Sequence, residues 1–173
     1  MAGVLAPLGL RLSEEKTRIV DIDEGFVFLG FMIQRRRKRG TSKSYVYTVP
    51  SRKAIQTITD RVSAATYRYT LNQGLDQLLA RLNRMLAGWA NYFRHGASKS
   101  TFNAIDSHAW RRIAGWLRRK HSIGRRQLRR FCDRGWRFAS NGVVFTGASS
   151  VPVTRYRYRG ASIPTPWTPK PSA

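Results

Sequence analysis

Apolar positions recur with helical spacing in four stretches of the chain and cluster in β-type runs near its start. The strongest pattern is Leu75–Phe93, where Leu75, Leu78, Leu79, Leu82, Met85, Leu86, Trp89 and Phe93 form one stripe at about 100° per residue. Gln77, Arg81, Arg84, Gly88 and Asn91 take the opposite face, and Gly88 offers a point of close approach to a second helix or a phosphate backbone. An earlier helix opens at Pro50-Ser51, with Ser51 as N-cap and Ile55, Ile58, Val62, Ala65 and Tyr69 inward. Residues 72–74 separate it from the central helix, which stops at His95-Gly96. A third helix, capped by Ser98 or Ser100, turns Phe102, Ile105, Ala109, Ile113, Trp116 and Leu117 inward. A fourth is expected from a Ser122 cap to Asp133, with Leu128, Phe131 and Cys132 inward and Gly135 ending it.

The β-type runs lie at residues 17–22 and 26–33, on either side of an Asp23-Glu24-Gly25 hairpin turn, and at residues 45–49 after a basic turn over residues 35–43. Residues 4–12 read as a short helix or helix end interrupted by Pro7, and residues 143–145 as a short strand. Four prolines in residues 163–173 predict an extended or disordered tail, with Trp167 as an anchor. The fold class that follows is α+β: a small antiparallel β-rich N-terminal piece, then a mainly α-helical domain. No internal repeat is visible.

Charge changes this picture from a fold to a partner. The 173 residues suit one domain or two small ones, but 32 lysines and arginines face nine acids, a formal net charge of +23. Residues 1–30 carry five acids and three bases, which leaves 29 bases and four acids beyond them. Such an excess repels itself unless a polyanion compensates it. Nucleic acid is the first partner to expect and an anionic membrane surface the second.

Three clusters carry the excess. Arg35, Arg36, Arg37, Lys38, Arg39 and Lys43 are six cations within nine residues, suited to phosphate contact through counterion release. Residues 111–137 hold eleven bases and one acid, Asp133; Arg111, Arg112, Arg118, Arg119, Lys120, Arg125, Arg126, Arg129 and Arg130 are the candidates there. Arg118, Arg119, Lys120 and His121 also occupy a helix's last turn, where cations suit the dipole, so part of this cluster has a structural reason. Residues 153–159 alternate Arg155, Arg157 and Arg159 with Thr154, Tyr156 and Tyr158. Either this is an edge strand with its tyrosines packed on the domain, or the arginines face RNA and Tyr156 and Tyr158 stack on bases.

Catalytic and metal chemistry find little purchase. A single cysteine, Cys132, excludes an internal disulfide and any multi-cysteine zinc site, and fits a reducing compartment. It reads as a small packed residue rather than a thiol activated by Arg129 and Arg130. His95, His108 and His121 are spaced by thirteen, which does not return to one helix face, so no metal site is assigned. Asp21 and Asp23 read as turn-region acids. No apolar run approaches 18 residues, so no membrane-spanning helix is expected. The N-terminus lacks a basic region and a cleavage site, which argues against a signal peptide and suggests a start inside a larger ancestral protein.

GWANYFRHG, followed by Ser98, Phe102, Asp106 and WLRRKH, resembles the maturase-specific domain of group II intron-encoded proteins, reverse transcriptases that help their host intron RNA fold and splice. LGLRLSEEKTRIV and GFVFLGF resemble the last reverse-transcriptase motifs of the same proteins, so the resemblance runs over roughly residues 5–167. It implies that residues 1–49 are the end of a reverse-transcriptase-like domain, residues 50–150 a helical thumb and maturase-specific domain, and residues 151–173 a basic-aromatic segment and tail. It implies structured RNA, group II intron RNA in particular, as partner, an upstream reverse-transcriptase fragment as a second candidate partner, and a cytoplasmic location.

Polymerase chemistry needs carboxylates that hold two magnesium ions, and the family's adjacent aspartates lie upstream of these motifs. No Asp-Asp pair occurs in this chain. The reading is therefore an RNA-binding maturase fragment with no catalytic residue and no cofactor of its own, magnesium entering only if a catalytic palm completes it. The competing readings are the C-terminal piece of an RNA-directed DNA polymerase, a decayed remnant, and a general basic nucleic-acid binder; GWANYF with WLRRKH speaks against the last.

Overall fold

The computed structural model describes residues 19–38 and 40–155. An antiparallel three-stranded sheet, β1 (Phe26–Phe28), β2 (Phe31–Arg37) and β3 (Ser44–Pro50), precedes three α-helices, α1 (Arg52–Ala65), α2 (Leu75–Phe93) and α3 (Lys99–His121). A 3-10 helix (Arg125–Phe131), a hairpin of β4 (Ala139–Ser140) and β5 (Val143–Val144), and a 3-10 turn (Ala148–Ser150) follow. The architecture is the α+β arrangement expected. The expectations for residues 4–12, for the tail with Trp167, for most of the 153–159 strand, and for Arg39, Tyr156, Arg157, Tyr158 and Arg159 lie outside the described residues.

The sheet is divided differently from the expected pattern. Residues 26–33 are two strands, not one, because the chain reverses at Leu29-Gly30 between the paired Phe28 and Phe31. Both turn residues are left-handed, φ 46° and 79°, the two-residue geometry whose twist matches that of the flanking strands. Residues 19–22 form no strand. The Asp23-Glu24-Gly25 segment leads into β1 instead of joining two strands, and the Gly25 amide donates to the Asp21 carbonyl at 3.1 Å. Arg35, Arg36 and Arg37 also stand outside the expected turn: they are the last residues of β2, opposite Val46, Tyr45 and Ser44. The turn is residues 38–43, closed by the Lys38 amide on the Lys43 carbonyl at 2.9 Å.

The helices follow their apolar stripes. Ser51 caps α1, its Oγ accepting from the Ala54 amide at 3.2 Å, and Ile58, Val62 and Ala65 are buried. The helix ends at Ala65, so Tyr69 is out of register and exposed. Leu78, Leu79, Leu82, Leu86 and Phe93 of α2 meet Phe102, Ile105, Ile113, Trp116 and Leu117 of α3 in one core. Burying a side chain of this size contributes about 1.5–3 kcal/mol, so this seam holds the fold. Trp89 is half-buried against Phe93 and Phe102, with centroids 4.5 and 5.8 Å away. Nothing lies within 4 Å of a Cβ built on Gly88, so among the described residues no second helix makes the close approach expected there.

Of two expected caps, Ser98 holds its N-cap position without a side-chain cap bond, and Ser122 is overturned. Ser98 precedes α3 but caps nothing with its side chain; its hydroxyl donates to the Phe93 carbonyl at 2.7 Å and ties α3 to the end of α2. Ser122 does not open a fourth α-helix. It ends α3 with φ 50°, and residues 125–131 form a 3-10 helix instead. Leu128 is its one fully buried anchor, and Arg125/Arg129 and Arg126/Arg130 would be like-charge pairs one α-turn apart. Neither condition favours an α-helix this short.

Candidate nucleic-acid interface

The basic residues of the second cluster divide into two groups by what they touch. Arg112 is half-buried; its Nε donates to Thr66 Oγ1 at 3.0 Å and an Nη to the Ser63 carbonyl at 2.9 Å, fastening α3 to α1. Lys120 Nζ donates to the Leu71 and Gln73 carbonyls at 2.6 and 2.7 Å and lies 5.2 Å from the Trp116 ring centroid. Arg119 reaches the Thr66 carbonyl at 3.4 Å. Arg112 and Arg119 satisfy carbonyls where α1 ends, and orphan carbonyls at a helix end need such partners; Lys120 does the same for the loop that leads into α2.

Arg111, Arg118, Arg125, Arg126 and Arg130 are exposed, and among the described residues no hydrogen bond or ion pair holds their side chains. Arg111, Gly115 and Arg118 line a groove of about 230 Å³ with Arg125 and Leu128 of the 3-10 helix. A second groove of about 440 Å³ shares Trp110 and Arg111 with the first and is lined also by Asp106, Arg137 and Phe145. Two acids lie nearby and both are engaged: Asp106, in the lining of the second groove, accepts the Ala148 and Ser149 amides, and Asp133 pairs with Arg137 at 2.8 Å. The backbone amides of Arg137 and Gly135 and the Arg137 guanidinium hold the Asp133 carboxyl below the usual carboxylate range.

The first cluster sits at the far end of the β2–β3 hairpin. Arg35 and Arg37 fall on one face of β2 and Arg36 on the other, since strand side chains alternate. Arg35 pairs with Asp23 at 3.4 Å, Arg36 with Gln34 Oε1 at 2.9 Å, and Arg37 with the Thr41 carbonyl at 2.9 Å. Lys38 and Arg155 line an open groove of about 670 Å³ with Tyr45, Tyr47, His95 and Gly96. Gly96 permits this joint, because a Cβ there would lie 2.8 Å from the Thr48 carbonyl. Lys43 is exposed on the same hairpin. Arg155 is thereby brought to the hairpin, a neighbourhood that separation in sequence hides.

The remaining chemistry is structural. Burial, with a smaller push from Asp133, raises the Cys132 thiol above its ordinary range, and the thiol faces the Leu128 carbonyl at 3.5 Å. It is a packed residue. Burial first, then Arg112 and Arg111, lowers the His108 pKa below 6.5; its Nε2 lies 3.2 Å from Ser63 Oγ. Asp106 receives the amides of Ala148 and Ser149 at 2.5 and 2.9 Å. Among the described residues no group of three or more His, Cys, Asp and Glu is placed to hold a metal ion, and no helix is long and apolar enough to cross a membrane. Sequence reasoning missed Trp136, an exposed aromatic among the arginines. Its only signal was its position, between Arg134 and Arg137.

Residues 55–136 match the family model described as Group II intron, maturase-specific domain. The matched segment contains α2, α3, the 3-10 helix and both grooves' arginines except Arg137. No curated protein matches the chain.

Proposed function

We propose that this chain is an RNA-binding maturase fragment that holds structured group II intron RNA and assists its splicing, with no polymerase chemistry of its own. The observation that carries the reading is the coincidence of the maturase-domain match over residues 55–136 with the exposed, unpaired arginines of α3 and the 3-10 helix. Arginines at this density neutralise crowded phosphates, and each neutralised phosphate releases counterions. An RNA folded into a compact, splicing-competent form crowds its phosphates more than an extended one. Cations held on a rigid frame therefore favour the compact form. The transesterification chemistry belongs to the RNA.

The β2–β3 hairpin, with Lys38, Lys43 and Arg155, supplies a second contact region in this reading, and the two regions bind together. Arg112, Arg119 and Lys120 act mainly by holding the frame. The chain would work in the cytoplasm.

A second reading, the C-terminal piece of an RNA-directed DNA polymerase completed by an upstream fragment, is favoured by one observation. Val27, Phe28 and Leu29 form an exposed apolar end to the sheet, each more than half exposed, as suits packing against a further protein surface.

The deciding experiment measures splicing of a group II intron RNA at limiting magnesium with and without the purified chain, alongside binding to that RNA and to an unstructured RNA of equal length. Faster splicing and tighter binding to the structured RNA are expected. Equal affinity for both RNAs with no effect on splicing would leave only a general basic binder. Primer extension by the chain alone is expected to be absent; extension that appears only on adding an upstream reverse-transcriptase fragment would favour the second reading.

A further inference from the structure

Trp136 is more than half exposed, at 53%, and lies in the stretch of residues 111–137 that holds eleven bases and one acid. Its backbone is left-handed, φ 59°, a conformation uncommon for a bulky residue. The surrounding turn holds it there. The Asp133 amide donates to the Arg137 carbonyl at 2.8 Å, the Trp136 amide donates to the Asp133 carbonyl at 3.2 Å, and Asp133 Oδ1 accepts the Gly135 and Arg137 amides, each at 2.9 Å. From α3, Trp110 Nε1 donates to the Trp136 carbonyl at 3.1 Å. The indole itself takes no part in this network. It projects with the Arg129 guanidinium 5.1 Å from its ring centroid.

An exposed tryptophan on a turn locked from three directions is not explained by packing. A fully apolar occupant is disfavoured by the surrounding charge, because Arg129 lies over the ring and Arg134 and Arg137 belong to the turn itself, whose one acid, Asp133, is engaged with Arg137. An aromatic plane among cations matches one chemistry closely: an unpaired nucleobase stacked on the ring, with its phosphates on the flanking arginines. We infer that Trp136 is a stacking platform for an unpaired base, so that this surface selects RNA with exposed loop or bulge nucleotides over continuous duplex. The inference rests on the RNA-binding reading above and narrows it to a substrate class.

The geometry supports a division of labour. Duplex RNA keeps its bases stacked on one another, and offers this surface only phosphates and 2′-hydroxyls. An extruded base adds one stacking interaction, and by substitution such an interaction alters affinity about 5- to 150-fold. Trp136 thus carries discrimination, while the arginines carry affinity and salt dependence.

The test uses the full chain and two RNAs with equal numbers of phosphates, a hairpin with a purine-rich unpaired loop and a blunt duplex. Trp136→Gly removes the ring and suits the left-handed backbone, and Trp136→Phe keeps an aromatic face. Trp136→Gly should weaken binding to the looped RNA roughly 5- to 150-fold, leave duplex binding within twofold, and leave the salt slope for both unchanged. Trp136→Phe should retain most of the preference, and melting of both variants should stay near that of the parent. Equal loss on both RNAs, or no loss on the looped one, would overturn the stacking role while leaving RNA binding intact. Absence of salt-dependent binding to either RNA by the unsubstituted chain would overturn both readings together.

Discussion

The Asp106 carboxylate and Gly147 fit one another: a Cβ on Gly147 would lie 2.5 Å from the Asp106 carboxyl carbon. Asp106 uses that close approach to accept the Ala148 and Ser149 amides, and Gly147 supplies the φ of 69° that turns the chain toward it. The C-terminal segment is thereby pinned to α3, while Asn83 pins it to α2 by donating to the Val144 carbonyl at 2.7 Å and accepting the Thr146 amide at 2.9 Å.

Asp106→Ala and Gly147→Ala should both loosen this segment. Hydrogen bonds to a charged group contribute about 1.5–3 kcal/mol, and overpacking costs about 1–3 kcal/mol. Denaturant unfolding should show losses in those ranges. The double variant should lose less than the sum, because both changes break the same junction. Full additivity would mean that the two residues do not act through each other.

The two groups of cations should respond oppositely to neutralisation. Replacing Arg118, Arg125 and Arg126 together with Gln should lower the salt slope of RNA binding by about 0.7–0.9 for each phosphate no longer neutralised, with melting unchanged. Arg112→Gln should instead cost about 1.5–3 kcal/mol of stability, through bonds to Thr66 and Ser63, with little change in slope. A stable Arg112→Gln variant with a reduced slope would make Arg112 a phosphate ligand.

Phe93 joins the sheet to the helices, with the Phe31 ring 4.8 Å away edge-on and the Trp89 ring 4.5 Å away. Phe93→Ala should cost about 3–5 kcal/mol. Trp89→Ala should also act through stability but cost less, since Trp89 is only partly buried. Thermal melts paired with RNA binding at a temperature where both variants remain folded check this. Unchanged melting with abolished binding would place these rings on the binding surface.

His108 should make stability depend on pH below 6.5. Burial and the charges of Arg112 and Arg111 hold its folded-state pKa below that ordinary value, against a smaller opposing pull from Asp60 and the Thr59 backbone. Between the two values the unfolded chain binds the proton and the folded chain does not, so stability falls as pH falls through this window and is fully present above 6.5. Melting temperatures from pH 7.5 to pH 5, taken at steps of about half a unit, should decline less for His108→Gln than for the parent chain. Parallel declines would assign the dependence to other groups.

The apolar stripes by themselves determined α2 and α3, since a period near 3.6 carried over many residues admits one arrangement. They also determined the α+β class, and composition determined the +23 charge that calls for a polyanion. The Asn141-Gly142 pair at the β4–β5 turn carried a hairpin signal in plain sight, φ 47° and 77°, although residues 143–145 alone had suggested no more than one strand. Other features were decided only by tertiary contact. The run around Gly30 is apolar on both sides, so its period does not locate a turn; the pairing of Phe28 with Phe31 does. Charge along the sequence is the same for Arg112 and Arg118. Only the packing of α3 on α1 brings one to the Ser63 carbonyl and the Thr66 hydroxyl and leaves the other in solvent. Trp136 is one aromatic among many in sequence. The turn around Asp133 and the bond from Trp110 set it outward, because long-range contacts choose which side chains a surface presents.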